Sequence, residues 1–288
     1  MRVSADQPDP SRRAAGAPLR VVFVGWGAIA RTACRLLADP GGGGPLEVPV
    51  QVVGVAVRDG SAPRPGLPAG ARLLTEPREL EAVAPDVVAE AAGRDSVAQW
   101  GRAALGVGAD LVVSSTSALA DPDLLAELHD LAARGGARLE VQPGALGGID
   151  ALSAARFLGL DAVEHRIVKP PAAWRGTLAE DLCDLVCLDA PQDFFRGSAA
   201  EAATSFPANA NVAMTTALAG IGPDTTQVVL VADPSATTNR HEVTAVGAFG
   251  RLEVSIANDP LPDNPKSSLM AALNLARCIR ARSASFLV

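Results

Sequence analysis

The sequence predicts an α/β domain built on a parallel sheet, followed by an α+β domain with a mixed or antiparallel sheet. Three observations lead there. From Leu19 to about Gln142, short apolar runs bounded by turn residues alternate with amphipathic stretches, which is the sequence form of repeated βαβ units. The first run ends in Gly25-Trp-Gly-Ala-Ile-Ala30, a glycine-spaced turn that opens a helix. After Gly144-Ala-Leu-Gly-Gly148 the pattern changes, and strand-like runs follow one another without a helix between them.

Taken in order, the apolar runs that read as strands of the first sheet are residues 19–24, 50–57, 86–91, 110–114 and 138–141. Helices are expected between them at residues 28–38, 79–83, 96–105 and 122–134. The last of these is well punctuated, with Asp121 as N-cap, Pro122 at the first helical position and Gly135 just past the end. In the second half, strands are expected at 162–168, 194–196, 227–232, 241–248 and 251–256. The Phe249-Gly250 turn makes the last two an antiparallel hairpin. Two helices, 149–158 and 211–218, should cover one face, and a final helix at 266–280 should return to pack on the first domain. The expected division is a disordered tail at 1–17, a nucleotide-type α/β domain at 18–147 completed by the C-terminal helix within 265–288, and an α+β domain at 148–264 that carries catalysis and dimerisation. The glycine run at 41–44 reads as a loop tip.

Composition narrows the chemistry. The 288 residues include no tyrosine, which excludes a Tyr-Lys proton-transfer pair, and only three histidines, so imidazole chemistry rests on His129, His165 or His241. Twenty-five basic against 32 acidic residues give a net charge of −7, which disfavours nucleic acid and anionic membranes as partners. A small-molecule partner is expected. Cys34, Cys183, Cys187 and Cys278 are too scattered for a disulfide framework or a zinc site, so no metal is expected and the thiols read as reduced, in a cytoplasmic protein. No apolar run reaches the ~18 residues of a membrane span, and no signal peptide is apparent.

The glycine turn points to a cofactor. In a dinucleotide-binding (Rossmann) turn the first glycine, here Gly25, makes the tight bend and the second, Gly27, admits the pyrophosphate; the third position, Ala30, packs helix on strand. Backbone N–H groups at Ala28 and Ile29 then face phosphate oxygens at the positive end of the helix. At the end of the second strand an acidic residue suits the ribose hydroxyl of NAD and an arginine suits the phosphate of NADP. Arg58 and Asp59 offer both, or are surface charges after a strand.

These features resemble a known family. Gly25-Trp-Gly-Ala-Ile-Ala30, Ala89-Glu-Ala-Ala-Gly93, Ser117-Ala-Leu-Ala-Asp121, Gly144-Ala-Leu-Gly-Gly148, Lys169-Pro-Pro171, Phe206-Pro-Ala-Asn-Ala-Asn-Val212 and Asp233-Pro with Asn239-Arg-His241 fall in the order seen in L-aspartate dehydrogenases. The likeness runs from about Leu19 to the C-terminus. It implies NAD(P)-dependent conversion of L-aspartate to iminoaspartate, which hydrolyses to oxaloacetate and ammonia or feeds NAD biosynthesis, and it implies a homodimer. Carried over by motif position, Ala145 and Asn211 are implied as cofactor contacts and His241 as the catalytic residue. The family commonly has glycine where Ser117 stands, which bears on the local loop geometry.

Residue chemistry supports His241 separately. Oxidising an α-amino acid removes an ammonium proton as hydride leaves Cα, and imine hydrolysis shuttles protons to and from water, work suited to a group titrating near neutrality. His165 alternates within a strand and reads as a sheet-face residue; His129 lies on the exposed side of its helix. His241 is expected to begin a strand and project into a cleft. The two carboxylates of the substrate call for cations and amides, for which Lys169, Asn239, Arg240 and Lys266 are candidates, with Asn209 and Thr238 beside them. Lys266 is expected to open the last helix. Glu90 reads either as a cofactor-side residue or as a buried structural partner. The rival readings are another amino-acid or semialdehyde dehydrogenase of the same superfamily and a non-catalytic NAD(P)-sensing protein.

Overall fold

In the computed structural model residues 16–38 and 48–286 are described. Residues 1–15 of the expected tail at 1–17, and the expected loop tip at 41–44, lie outside the described residues. The first sheet contains β1 (Leu19–Val24), β2 (Val50–Ala56), β3 (Arg72–Leu74), β4 (Val87–Glu90), β5 (Asp110–Val113) and β6 (Leu139–Val141) in the order β3-β2-β1-β4-β5-β6. Every neighbouring pair is parallel. Strand order reverses between β1 and β4, and in such sheets a crevice opens beyond the carboxyl ends at that switch point. β3 was not foreseen, because a three-residue edge strand amid proline and glycine has no period to detect.

Helices α1 (Ala28–Ala38), α2 (Leu80–Val83), α3 (Arg94–Gly106) and α4 (Pro122–Gly135) connect these strands. The strands are apolar nearly throughout because both faces are covered. Val22, Val24, Val88, Leu111 and Val113 pack under α3 and α4, while Val21, Phe23, Val55 and Val112 pack on the other face with Ala30 and Ala33 of α1. α4 is capped by the Asp121 carboxylate, which accepts from the N–H groups of Asp123 and Leu124 at 3.0 and 3.3 Å. At its other end the chain corrects the expectation: Gly135 is still helical and Gly136, at φ +64°, supplies the left-handed turn.

The second sheet contains β7 (Leu160–Lys169), β8 (Gln192–Ser198), β9 (Gln227–Ala232), β10 (Asn239–Gly247) and β11 (Gly250–Asn258) in the order β11-β10-β7-β9-β8. Only β7 and β9 run parallel. Helices α5 (Ile149–Ala155), α6 (Ala179–Leu182), α7 (Ala199–Ser205) and α8 (Ala210–Ala219) accompany it. The predicted helix at 149–158 ends early, its last turn tightening into a 3-10 turn at Arg156–Leu158. α8 is buried almost all round, with Ala213, Met214 and Ala217 packed among Phe206, Ile167 and Leu230.

The C-terminal segment departs from its predicted course. Residues 264–268 form strand β13 (Asn264–Ser268), paired antiparallel with β12 (Pro260–Leu261), so Lys266 lies in a strand instead of opening a helix. Helix α9 (Leu269–Ala281) begins where the Ser268 hydroxyl accepts from the Met270 N–H at 3.2 Å. It carries Leu275, Cys278 and Ile279 into the same cluster as α1. Arg282 then fastens it, reaching Asp110 of β5 and Glu140 of β6, each at 2.7 Å.

Candidate active site

The glycine turn is shaped as a phosphate cradle. Gly25 has φ +89°, and a Cβ there would sit 2.7 Å from the Ala92 Cα, so neither conformation nor space admits a side chain. A Cβ on Gly27 would meet nothing within 4 Å, which leaves the backbone open to a ligand. Ala30 is fully buried against the strand, while Ala28 and Ile29 are half-buried at the start of the helix. These residues fit a dinucleotide. Beyond β2, Arg58 is exposed, and the Asp59 carboxylate is turned onto the Ser61 N–H and hydroxyl at 2.8 and 2.6 Å. Those two hydrogen bonds, the hydroxyl first, hold the Asp59 carboxyl below its usual range. Trp26, inside the glycine turn, donates to the Pro65 carbonyl at 3.2 Å and ties this loop to the cradle.

Glu90 ends β4 fully buried and accepts from the N–H groups of Ala92, Gly93 and Ser115 and from the Ser115 hydroxyl at 2.8–2.9 Å, and the Ser96 hydroxyl lies between it at 3.0 Å and the Gly93 carbonyl at 2.7 Å. The structural reading of this residue is the one its geometry supports: it locks the Ala92-Gly93 turn that closes over Gly25. Across the crevice, Asn258 donates to the Ala145 carbonyl at 2.9 Å, and Asn274 of α9 donates to the carbonyls of Gly144 and Leu146 at 2.8 and 3.1 Å. The Asn211 carbonyl side chain accepts from the Ser117 N–H at 3.0 Å, joining α8 to the Ser117 loop. Ala84 is the one non-glycine with positive φ among the described residues, so Ser117 sits in a backbone conformation that needs no glycine.

Alternation along β7 and β10 sorts the candidates by face. His165, Ile167 and Lys169 share the face toward α8 with Asn239, His241 and Val243, since His241 pairs with Ile167 and Val243 with His165. His241 is the third residue of β10 and not its first, and it is 5% exposed on the sheet face. Its Nδ1 lies 3.2 Å from the Nε2 of His165, whose Nδ1 is 2.9 Å from the Thr216 hydroxyl of α8. Lys169 donates to the Asn209 side-chain carbonyl and stands 5.0 Å over the Trp174 ring. His165 was not expected in the site. Its link to His241 spans 76 residues of sequence and becomes visible only when the β7–β10 register is known.

The opposite face takes Arg240 away from this cluster. Its guanidinium meets Glu242 at 2.6 Å and Asp233 at 3.8 Å, in a ladder that continues through Arg166, Asp193, Arg196 and Glu164. A residue next to His241 in sequence must point to the other side of a strand, which removes Arg240 as a partner of groups on the α8 face. Asn239 keeps the right face, and Thr238 just precedes the strand, half-buried. The side chain of Lys266 lies outside the described residues. His129 is exposed beside Asp130 at 4.0 Å.

Burial sets the protonation of the cluster. It pushes His165 down to about 3 and Lys169 down to about 8. His241 is pushed well below the usual imidazole value, first by burial and then by the neighbouring His165 and Lys169. This overturns the expectation of a group titrating near neutrality: His241 is neutral in the folded protein. Because the unfolded chain binds protons near 6.5 where the folded histidines do not, stability is full above about pH 6.5 and falls as pH drops toward about 3. Each buried histidine contributes a slope approaching 1.4 kcal/mol per pH unit, roughly, in that window. Urea denaturation at stepped pH should therefore show a shallower acid loss in His165→Phe than in the parent; equal slopes would contradict it.

Comparison with known proteins agrees with this architecture. Residues 25–142 match the family described as "Homoserine dehydrogenase, NAD binding domain", and residues 150–282 match "Aspartate dehydrogenase, C-terminal". The chain is 52% identical over 268 residues to an L-aspartate dehydrogenase of Brucella anthropi, covering 93% of this chain and 98% of that one. It is 41% identical to an L-aspartate dehydrogenase of Pseudomonas aeruginosa, covering 91% of this chain and 96% of that one. Among solved structures, the aspartate dehydrogenase of Thermotoga maritima superposes with a TM-score of 0.73 at 24% identity, over 94% of this chain and 99% of that one, which shows the shared fold.

Proposed function

The chain belongs to the aspartate dehydrogenase family, and from that premise we propose that it oxidises L-aspartate to iminoaspartate with NAD or NADP. The observation that carries the reading is His241, a neutral imidazole on the sheet face that also holds Lys169 and Asn239. A dinucleotide held at the glycine turn would supply the hydride acceptor through its nicotinamide. Gly25, Gly27, Ala28 and Ile29 would hold its pyrophosphate through backbone, and Ala145 and Asn211 would contact its nicotinamide end.

His241 takes the proton from the substrate ammonium, which frees the nitrogen lone pair to form the C=N bond as the Cα hydrogen departs with its electron pair. Lys169, with its value near 8, is still mostly protonated at neutral pH and supplies a cation for a substrate carboxylate, while Asn239 supplies an amide. Iminoaspartate then hydrolyses to oxaloacetate and ammonia or enters pyridine nucleotide biosynthesis. The enzyme works as a homodimer in the cytoplasm.

The test is the rise of reduced-nicotinamide absorbance with L-aspartate and NAD or NADP in parallel. Turnover with aspartate and none with homoserine is expected. Turnover only on homoserine, or cofactor binding without turnover on any amino acid, would replace the proposal with one of its rivals. Because Asp59 is engaged by Ser61 while Arg58 is exposed, Arg58→Ala should raise the KM for NADP more than that for NAD. Equal effects would remove Arg58 from the cofactor site.

A further inference from the structure

Resting on the role just given to His241, we infer that His165 and Thr216 are positioning residues that fix which nitrogen of His241 carries a proton. Thr216 has one hydroxyl proton. Its oxygen lies 3.1 Å from the Val212 carbonyl one helical turn back and 2.9 Å from the His165 Nδ1. The geometry points to the hydroxyl proton on the Val212 side, whose carbonyl can only accept, with the Thr216 oxygen accepting from His165 Nδ1–H. The neutral His165 ring then has a lone pair on Nε2, which must accept from His241 Nδ1–H at 3.2 Å. The outcome is a His241 whose Nε2 is unprotonated, the state a base requires.

The chain of donors starts at a helix carbonyl and ends at the reacting imidazole. All three side chains are buried, with His165 and Thr216 at 0% and His241 at 5% exposure, so water does not compete for these nitrogens. Thr216 is held on the rigid, buried helix α8, and the same helix presents Asn211 to the Ser117 loop. Position 165 thus sets the tautomer at position 241, and the second histidine acts through the first.

Two variants and two readouts test this. His165→Phe keeps a ring of similar size and removes both nitrogens, and Thr216→Val keeps the shape and removes the hydroxyl. Each should lower kcat with L-aspartate by roughly 10- to 100-fold, as loss of an orienting partner does at comparable sites, while the KM for aspartate and the Kd for NAD change less than about threefold. Thr216→Ser, which retains the hydroxyl, should recover most of the rate lost in Thr216→Val. The second readout needs no turnover. With three histidines in the chain, nitrogen NMR of the ring can be assigned, and it should show His241 protonated at Nδ1 in the parent and shifted toward Nε2 in His165→Phe.

A parent His241 protonated at Nε2, a tautomer unmoved by His165→Phe, or a kcat unmoved by folded Thr216→Val overturns the inference. If the parent fails to oxidise aspartate yet shows the Nδ1–H tautomer and its shift, the proposed substrate falls and the positioning chain stands.

Discussion

Replacing His241 by alanine is expected to lower kcat for L-aspartate oxidation by roughly 10²- to 10⁴-fold, the usual worth of a positioned acid–base group. The Kd for the nicotinamide cofactor should stay within about threefold, because the cradle at Gly25 and Gly27 is formed by another sheet. The loss should fall on kcat more than on KM, since in the proposed role the imidazole acts on the ammonium proton and not on the carboxylates. The activity profile adds a sign. With His241 held far below its ordinary value by burial, by His165 and by Lys169, activity should not decline as pH falls through 6.5 in the way an exposed histidine base would impose. Steady-state rates with saturating cofactor, across pH, measure both. A kcat within tenfold of the parent in the folded variant would exclude His241 as the base.

Substituting Glu90 is expected to have the largest effect on stability. Alanine there would strand three backbone N–H groups and the Ser115 hydroxyl, which now converge on one buried carboxylate, while the Ser96 hydroxyl keeps the Gly93 carbonyl at 2.7 Å. An unpartnered buried donor costs about 1–3 kcal/mol, and with water entering to satisfy part of the set a loss of about 3 kcal/mol or more is expected. Glu90→Gln should cost less but still about 1–2 kcal/mol, since a flipped amide can satisfy the crowded Oε1 position only by aiming its NH₂ at the Ser115 N–H. Cofactor affinity should fall with it, because the Ala92-Gly93 turn held by Glu90 abuts Gly25. Urea denaturation and cofactor titration read the two effects. A Glu90→Ala protein within about 1 kcal/mol of the parent would show that the converging donors find other partners.

Several features of this protein are decided by neighbours in sequence, and the sequence alone determined them. The Gly25 to Ala30 turn could be read because tight turn, phosphate approach and helix start all fall within six residues. The parallel character of the first sheet followed from apolar runs separated by helices, and the Phe249-Gly250 hairpin from a turn between alternating runs. Asp121 could be placed as a cap because capping acts over three residues. The Ser198-Ala-Ala-Glu201 capping box at the start of α7 is equally local.

The tertiary structure decided what depends on register. His165 and His241 meet because β7 and β10 pair with Val243 opposite His165; a slip of one residue would send His241 to the face where Arg240 joins the ion-pair ladder. Asn258 and Asn274 reach the Ala145 loop from 113 and 130 residues away, and Glu90 gathers Ser115 from the end of the neighbouring strand. No local pattern encodes these distances. The same holds for protonation: composition reduced imidazole chemistry to three residues, but only burial in the sheet face makes His241 a neutral imidazole with a histidine behind it, since desolvation is a property of the folded surroundings and not of the residue.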